Sequence, residues 1–112
     1  MLRSYDTFRE IQHDLQRGTI TSLDLVKHYL SNINKKAHLN TFLSVYEEEA
    51  LQRASEVDKK IKRGDAGRLA GLVVSLKDVL SYKNHPLQAS SKILNGFKDA
   101  FRQCKICNLI IL

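Results

Sequence analysis

Lys77 has the setting in this sequence that most favours chemistry. It ends the apolar run Leu72-Val73-Val74-Ser75-Leu76 and is followed by Asp78, and in α/β sheets ligands and active sites gather at the carboxyl ends of strands. A lysine that loses hydration in such a place has a lowered pKa, and its neutral amine can act as a base. The plainer alternative is a strand-end lysine that reaches water or pairs with Asp78. Ser90-Ser91, the one serine pair in the chain, could supply a nucleophile, but a serine before an apolar stretch is more simply a helix cap. Cys104 and Cys107 have C-x-x-C spacing. A structural zinc site needs four ligands, and His13, His28, His38 and His85 show no ligand spacing. An incidental cysteine pair, with no metal, is the expectation.

The elements that must position these residues can be read from periodicity and caps. Thr7-Phe8-Arg9-Glu10 has the form of a capping box, and Phe8, Ile11 and Leu15 then recur at helical spacing until Gly18. Thr21 begins a second helix whose stripe is Leu23, Val26, Leu30 and Ile33, ending near Asn34. Thr41 to Tyr46 is rich in β-branched and aromatic residues and suits a short strand or an extended link. Glu47-Glu48-Glu49 places negative charge on the first turn of a third helix, and Lys59 to Arg63 places positive charge on its last. Ala50, Ala54, Val57 and Ile61 share one face, and Gly64 supplies the stop. The near-continuous apolarity of residues 72–76 predicts a strand covered on both faces, with unpaired edges in a chain this short. Beyond Pro86, Ser90 or Ser91 could cap a short helix running through Leu94, with Gly96 ending it.

Composition sets outer bounds. The 112 residues allow one small domain or part of one. With 43% hydrophobic and 27% charged residues the chain is neither a disordered segment nor a membrane span. Arg3, Asp6, Arg9 and Glu10 interrupt any secretory h-region, and two cysteines so close together build no disulfide framework, so a cytoplasmic protein that does not enter a membrane is expected. The net charge of +6 raises the possibility of nucleic-acid binding. The cationic runs Lys35-Lys36 and Lys59 to Arg63, however, fall where helices should end, and there the macrodipole favours them.

A longer pattern embraces Lys77. Gly67-Arg68-Leu69-Ala70-Gly71-Leu72-Val73-Val74-Ser75-Leu76-Lys77-Asp78 resembles the Gly-Pro-Leu-Ala-Gly to Lys-Asp segment of the amidase-signature family. Ala89-Ser90-Ser91-Lys92-Ile93-Leu94, Leu39-Asn40-Thr41-Phe42-Leu43 and Glu49-Ala50-Leu51 are similar to blocks in the branch of that family formed by the A subunits of tRNA-dependent amidotransferases. The blocks occur in order, across residues 5 to 99. The resemblance implies an α/β fold: the N-terminal helices and first sheet strand of an amidase-signature α/β/α sandwich. It also implies a serine amidase whose triad is a nucleophilic serine, a bridging cis-serine and a lysine, with Lys77 at the lysine position. In that branch the subunit releases ammonia from glutamine, and partner subunits, B and C, use it to amidate Glu-tRNA(Gln) or Asp-tRNA(Asn). ATP and Mg would then belong to the partner, with no cofactor in this chain and tRNA met only through the complex.

The sequence also departs from the family pattern. It contains no Gly-Ser-Ser-Gly or Gly-Gly-Ser stretch, so no nucleophile can be assigned, and Ser90-Ser91 aligns outside the family's catalytic serines. The expectation is an inactive truncated fragment. Arg68 and Val73 replace the usual prolines, and Val79 an asparagine, which bears on loop geometry. Residues 1–99 are read as the N-terminal part of the amidase domain, and residues 100–112 as a divergent tail of the kind a frameshift produces. A small basic module binding RNA or protein, and a fragment of another amidase-signature hydrolase, are the alternatives.

Overall fold

Thr7 opens the first helix by the chemistry its sequence suggests. With φ −135° and ψ 151° it lies outside α1 (Phe8–Gln16), and its Oγ1 accepts the Glu10 N–H at 3.4 Å. The return half of the box is displaced by one residue, because the Glu10 carboxylate takes the N–H of Asp6 at 3.2 Å instead of that of Thr7. α2 (Ser22–Lys35) has the complete box: Thr21 Oγ1 accepts the Asp24 N–H, and Asp24 accepts that of Thr21, each at 3.1 Å. α3 (Glu47–Arg63) begins in three glutamates and ends in Lys60, Lys62 and Arg63. Gly64, at φ 77°, closes it by returning its N–H to the carbonyls of Ile61 and Lys60. Lys35 occupies the last turn of α2 and Lys36 its C-cap, so the cationic runs sit at helix ends, where the dipole favours them.

The computed structural model describes residues 2–78, 80, 82, 84–98 and 110–111. It divides the chain into two compact units, Met1–Val74 with Asn108–Leu112, and Ser75–Cys107. In the first, Val26, Leu30, Ala50, Ala54, Val57 and Ala70 form one buried cluster between α2 and α3, while Leu15, Ile20 and Leu25 form another against α1. α2 therefore buries a wider face than the single stripe predicted, because it serves both clusters: Leu25 packs on one side and Val26 on the other. Asp58 of α3 accepts the N–H groups of Ser22 at 2.7 Å and Leu23 at 3.2 Å. It thus satisfies donors at the start of α2 that no intrahelical carbonyl can reach.

The strand departs from expectation. Only Val73–Val74 forms β1, half-buried rather than covered on both faces. It pairs in parallel with β2 (Ile110–Ile111), Val73 opposite Ile110 and Val74 opposite Ile111. One of the edges expected to be unpaired is therefore taken by Ile110–Ile111 of the same chain. Thr41 to Tyr46 forms no strand; it is a link with a bend at Leu43, which is 79% exposed.

The second unit is held by turns. Leu80 N–H donates to the Lys77 carbonyl at 2.9 Å, Pro86 and Lys98 form an isolated antiparallel bridge, and Leu87 N–H meets the Phe97 carbonyl at 3.2 Å. The helix expected through Leu94 is a single 3₁₀ turn, Lys92–Leu94, and Ser91 at its start makes no side-chain cap bond. Gly96, at φ 84°, follows it.

Candidate active site

The segment leading to Lys77 is built on Gly71. Leu69 to Leu72 descends through successive turns, Ala70 N–H to the Gly67 carbonyl and Leu72 N–H to that of Leu69, each at 3.1 Å. The turn is anchored from α1 by Gln12, whose Nε2 donates to the Arg68 carbonyl at 2.6 Å. Arg68 thus keeps the turn closed without the family's proline, since the contact uses its backbone. Gly71 has φ 85°, and a Cβ there would lie 2.4 Å from Leu15 Cδ1 and 3.4 Å from Ser22 Oγ. Glycine is required on both counts, conformation and space. Val73, at the other proline position, is a β1 residue.

Lys77 lies three residues beyond Val74, the end of β1, and its side chain is exposed. The apolar surroundings expected around it are not provided by its own segment: Ser75 is exposed and Leu76 half-buried. Among the described residues it forms no ion pair with Asp78. Asp78 turns instead to backbone. Its Oδ1 accepts the Gln88 N–H at 3.2 Å, its carbonyl accepts the Ala89 N–H at 3.2 Å, and its Oδ2 is buried with no hydrogen-bond partner. The sequence brought Asp78 forward only as a companion of the lysine. Its bond to Gln88 spans ten residues and leaves no periodic or local signal.

Among the described residues, no hydrogen bond joins the Ser90 or Ser91 hydroxyl to a base. Ser90 is exposed, with φ 59°, and Ala89 before it has φ 47°. The four histidines are dispersed: His13 lies beside Asp14 at 3.5 Å, His28 bonds Asn32 at 3.2 Å, His38 is in the 3₁₀ turn Ala37–Leu39 and His85 stacks on Tyr82 at 4.1 Å. Cys104, Cys107 and Val79 lie outside the described residues. A cavity of about 190 Å³ beside α1 is lined by Gln12, Gln16, Gly67 and apolar neighbours and does not include Lys77. Among the described residues no helix is long and apolar enough to cross a membrane.

What the arrangement offers chemically is a solvent-reaching amine on a turn held by backbone hydrogen bonds. Comparison with known proteins gives it a context. The sequence profile of the amidase family matches residues 24–106. The chain is similar to the A subunits of glutamyl-tRNA(Gln) amidotransferases: that of Chlorobaculum parvum, 35% identical over 95 residues, that of Jannaschia sp., 37% over 95 residues, and that of a Coxiella burnetii strain, 35% over 92 residues. These matches cover 84%, 85% and 81% of this chain but 20%, 19% and 19% of the relatives; the chain spans about a fifth of their length. Its fold is similar to that of a solved structure described as a vestigial protein complex revealing the origins of an s-triazine catabolic enzyme. The TM-score is 0.81 at 24% identity, covering 92% of this chain and 24% of that one. The α/β class anticipated for the segment agrees with that likeness.

Proposed function

This chain belongs to the amidase family, and we propose that it is the lysine-bearing segment of a glutamine-hydrolysing amidase, the A subunit of a tRNA-dependent amidotransferase. The observation that carries this reading is the coincidence of Lys77-Asp78, at the end of the Gly67 to Asp78 block, with a family match that runs through it and with relatives named as that subunit. In this reading Lys77 supplies the neutral amine that draws a proton through a bridging serine from a nucleophilic serine. Attack on the glutamine amide carbonyl then releases ammonia. Both serines would come from the remaining four-fifths of such a subunit. Subunits B and C, ATP and Mg belong to the acceptor half of the reaction, and no residue of this chain is assigned to them.

Lys77 is exposed, which fits a group whose covering layer lies elsewhere in the amidase fold. The experiment is a chimera in which residues 5–99 of this chain replace the matching segment of the Chlorobaculum parvum subunit, co-produced with that subunit's own partners. Ammonia release from glutamine is expected in the chimera and lost in its Lys77→Ala form. Release that ignores Lys77→Ala would remove the assignment.

A further inference from the structure

We propose that Asp78 is a positioning residue, which clamps the Lys77 turn to the 87–90 segment and so fixes where the lysine side chain begins. Its bearing on catalysis rests on the lysine reading above; the clamp itself does not.

The Lys77 side chain is exposed, so the bonds that hold its backbone set where that side chain begins. That backbone is tied at its own carbonyl by Leu80 N–H at 2.9 Å, and at the next residue by Ala89 N–H on the Asp78 carbonyl at 3.2 Å. The remaining tie is Gln88 N–H on Asp78 Oδ1, at 3.2 Å. Only this last bond uses a side chain, so it is the one that depends on which amino acid occupies position 78.

The partner segment does not lie there by local preference. Ala89 and Ser90 both have positive φ, 47° and 59°, in a region that residues with a Cβ avoid. Consecutive residues in that region persist only when their surroundings hold them. On one side Leu87 is bonded to Phe97; on the other, two acceptors of one residue, Asp78, take successive N–H groups of Gln88 and Ala89. Asp78 Oδ2 is buried without a hydrogen-bond partner among the described residues, and a carboxylate with one backbone bond is a poor way to gain stability alone. Holding a geometry accounts for it.

Hydrogen exchange and ¹⁵N relaxation on the full 112-residue chain test the clamp, with Val57 in α3 as the reporter that the other unit stays folded. Asp78→Ala is expected to speed exchange at Gln88 and Ala89 about tenfold or more, as loss of a charge-assisted bond does. It should also move the Lys77 backbone order parameter from about 0.85 toward 0.6. Asp78→Asn keeps an acceptor at Oδ1 and is expected to restore both. If Asp78→Ala disorders residues 75–98 outright, the Asn variant decides: parent-like exchange at Gln88 supports the clamp, and Ala-like exchange overturns it. In the active chimera, Asp78→Ala should lower kcat for glutamine about tenfold with KM nearly unchanged, and Asn should recover it. Unchanged kcat would sink the positioning role while leaving Lys77 assigned. Failure of the lysine reading shows separately, as ammonia release indifferent to Lys77→Ala with Gln88 exchange unaltered.

Discussion

Replacing Gly71 by alanine should destabilise the helical unit through both conformation and space. At φ 85° an L-residue occupies the left-handed region, which costs about 1–2 kcal/mol. The new Cβ would also stand 2.4 Å from Leu15 Cδ1 and 3.4 Å from Ser22 Oγ, and overpacking of this kind costs about 1–3 kcal/mol. The Leu15 methyl is the far end of a side chain that can rotate, but Leu15 is itself only 5% exposed, so rotation moves the crowding into the Ile20–Leu25 cluster. The sum is about 2–5 kcal/mol, a large share of the stability of any small unit. Gly64→Ala is the matched control, since Gly64 has φ 77° with nothing within 4 Å of the added methyl. Urea denaturation followed by circular dichroism should show a midpoint loss for Gly71→Ala at least twice that for Gly64→Ala, with similar m-values. Equal losses would mean that conformation alone requires glycine and that the packing of α1 and Ser22 on the turn has been misjudged.

Asp58→Ala should cost about 2–3 kcal/mol, because it leaves the N–H groups of Ser22 and Leu23 without their carboxylate partner; Asp58→Asn should cost less, and urea midpoints measure both. The Tyr5 hydroxyl bonds Asp14 at 2.9 Å, and with help from Arg3 this holds the Asp14 carboxyl below its ordinary value of 3.8, against partial burial. A depressed carboxyl contributes stability above its unfolded pKa and loses it as pH falls through the folded one. The Tyr5–Asp14 contact should therefore weaken only below about pH 4, and Asp14→Asn should abolish that dependence in a Tyr5 NMR titration. The chain alone should release no ammonia from glutamine, since a lysine without its serines has nothing to activate; release above background that vanishes on Lys77→Ala would contradict this.

Helices were legible because their signals are local. Thr7, Thr21 and Gly64 act within a turn of where they stand, and the Ala50-Ala54-Val57 face follows from a period the backbone imposes. What escaped the sequence depends on distant partners. Leu25 is buried because α1 covers a second face of α2, Asp58 caps a helix 36 residues before it, and Val73–Val74 finds its strand partner at Ile110–Ile111. None of these leaves a pattern in a short window. The candidate site divides the same way: Lys77 is visible through its motif, whereas its exposure and the bond from Asp78 to Gln88 follow from how residues 75–98 fold back. Ser91 has the chemistry of a cap, yet it makes no side-chain cap bond at the single 3₁₀ turn that follows it.

The assignment of Lys77 as the base of an amidase meets its most direct test in the chimera, with arginine in place of the lysine. Arginine keeps the positive charge and much of the length but cannot give up its proton at working pH. The prediction is that Lys77→Arg and Lys77→Ala both reduce ammonia release from glutamine by about a thousandfold or more, as removal of one member of a catalytic triad does. Substantial release by the arginine form would show that position 77 contributes charge and not a neutral amine, and would contradict the assignment.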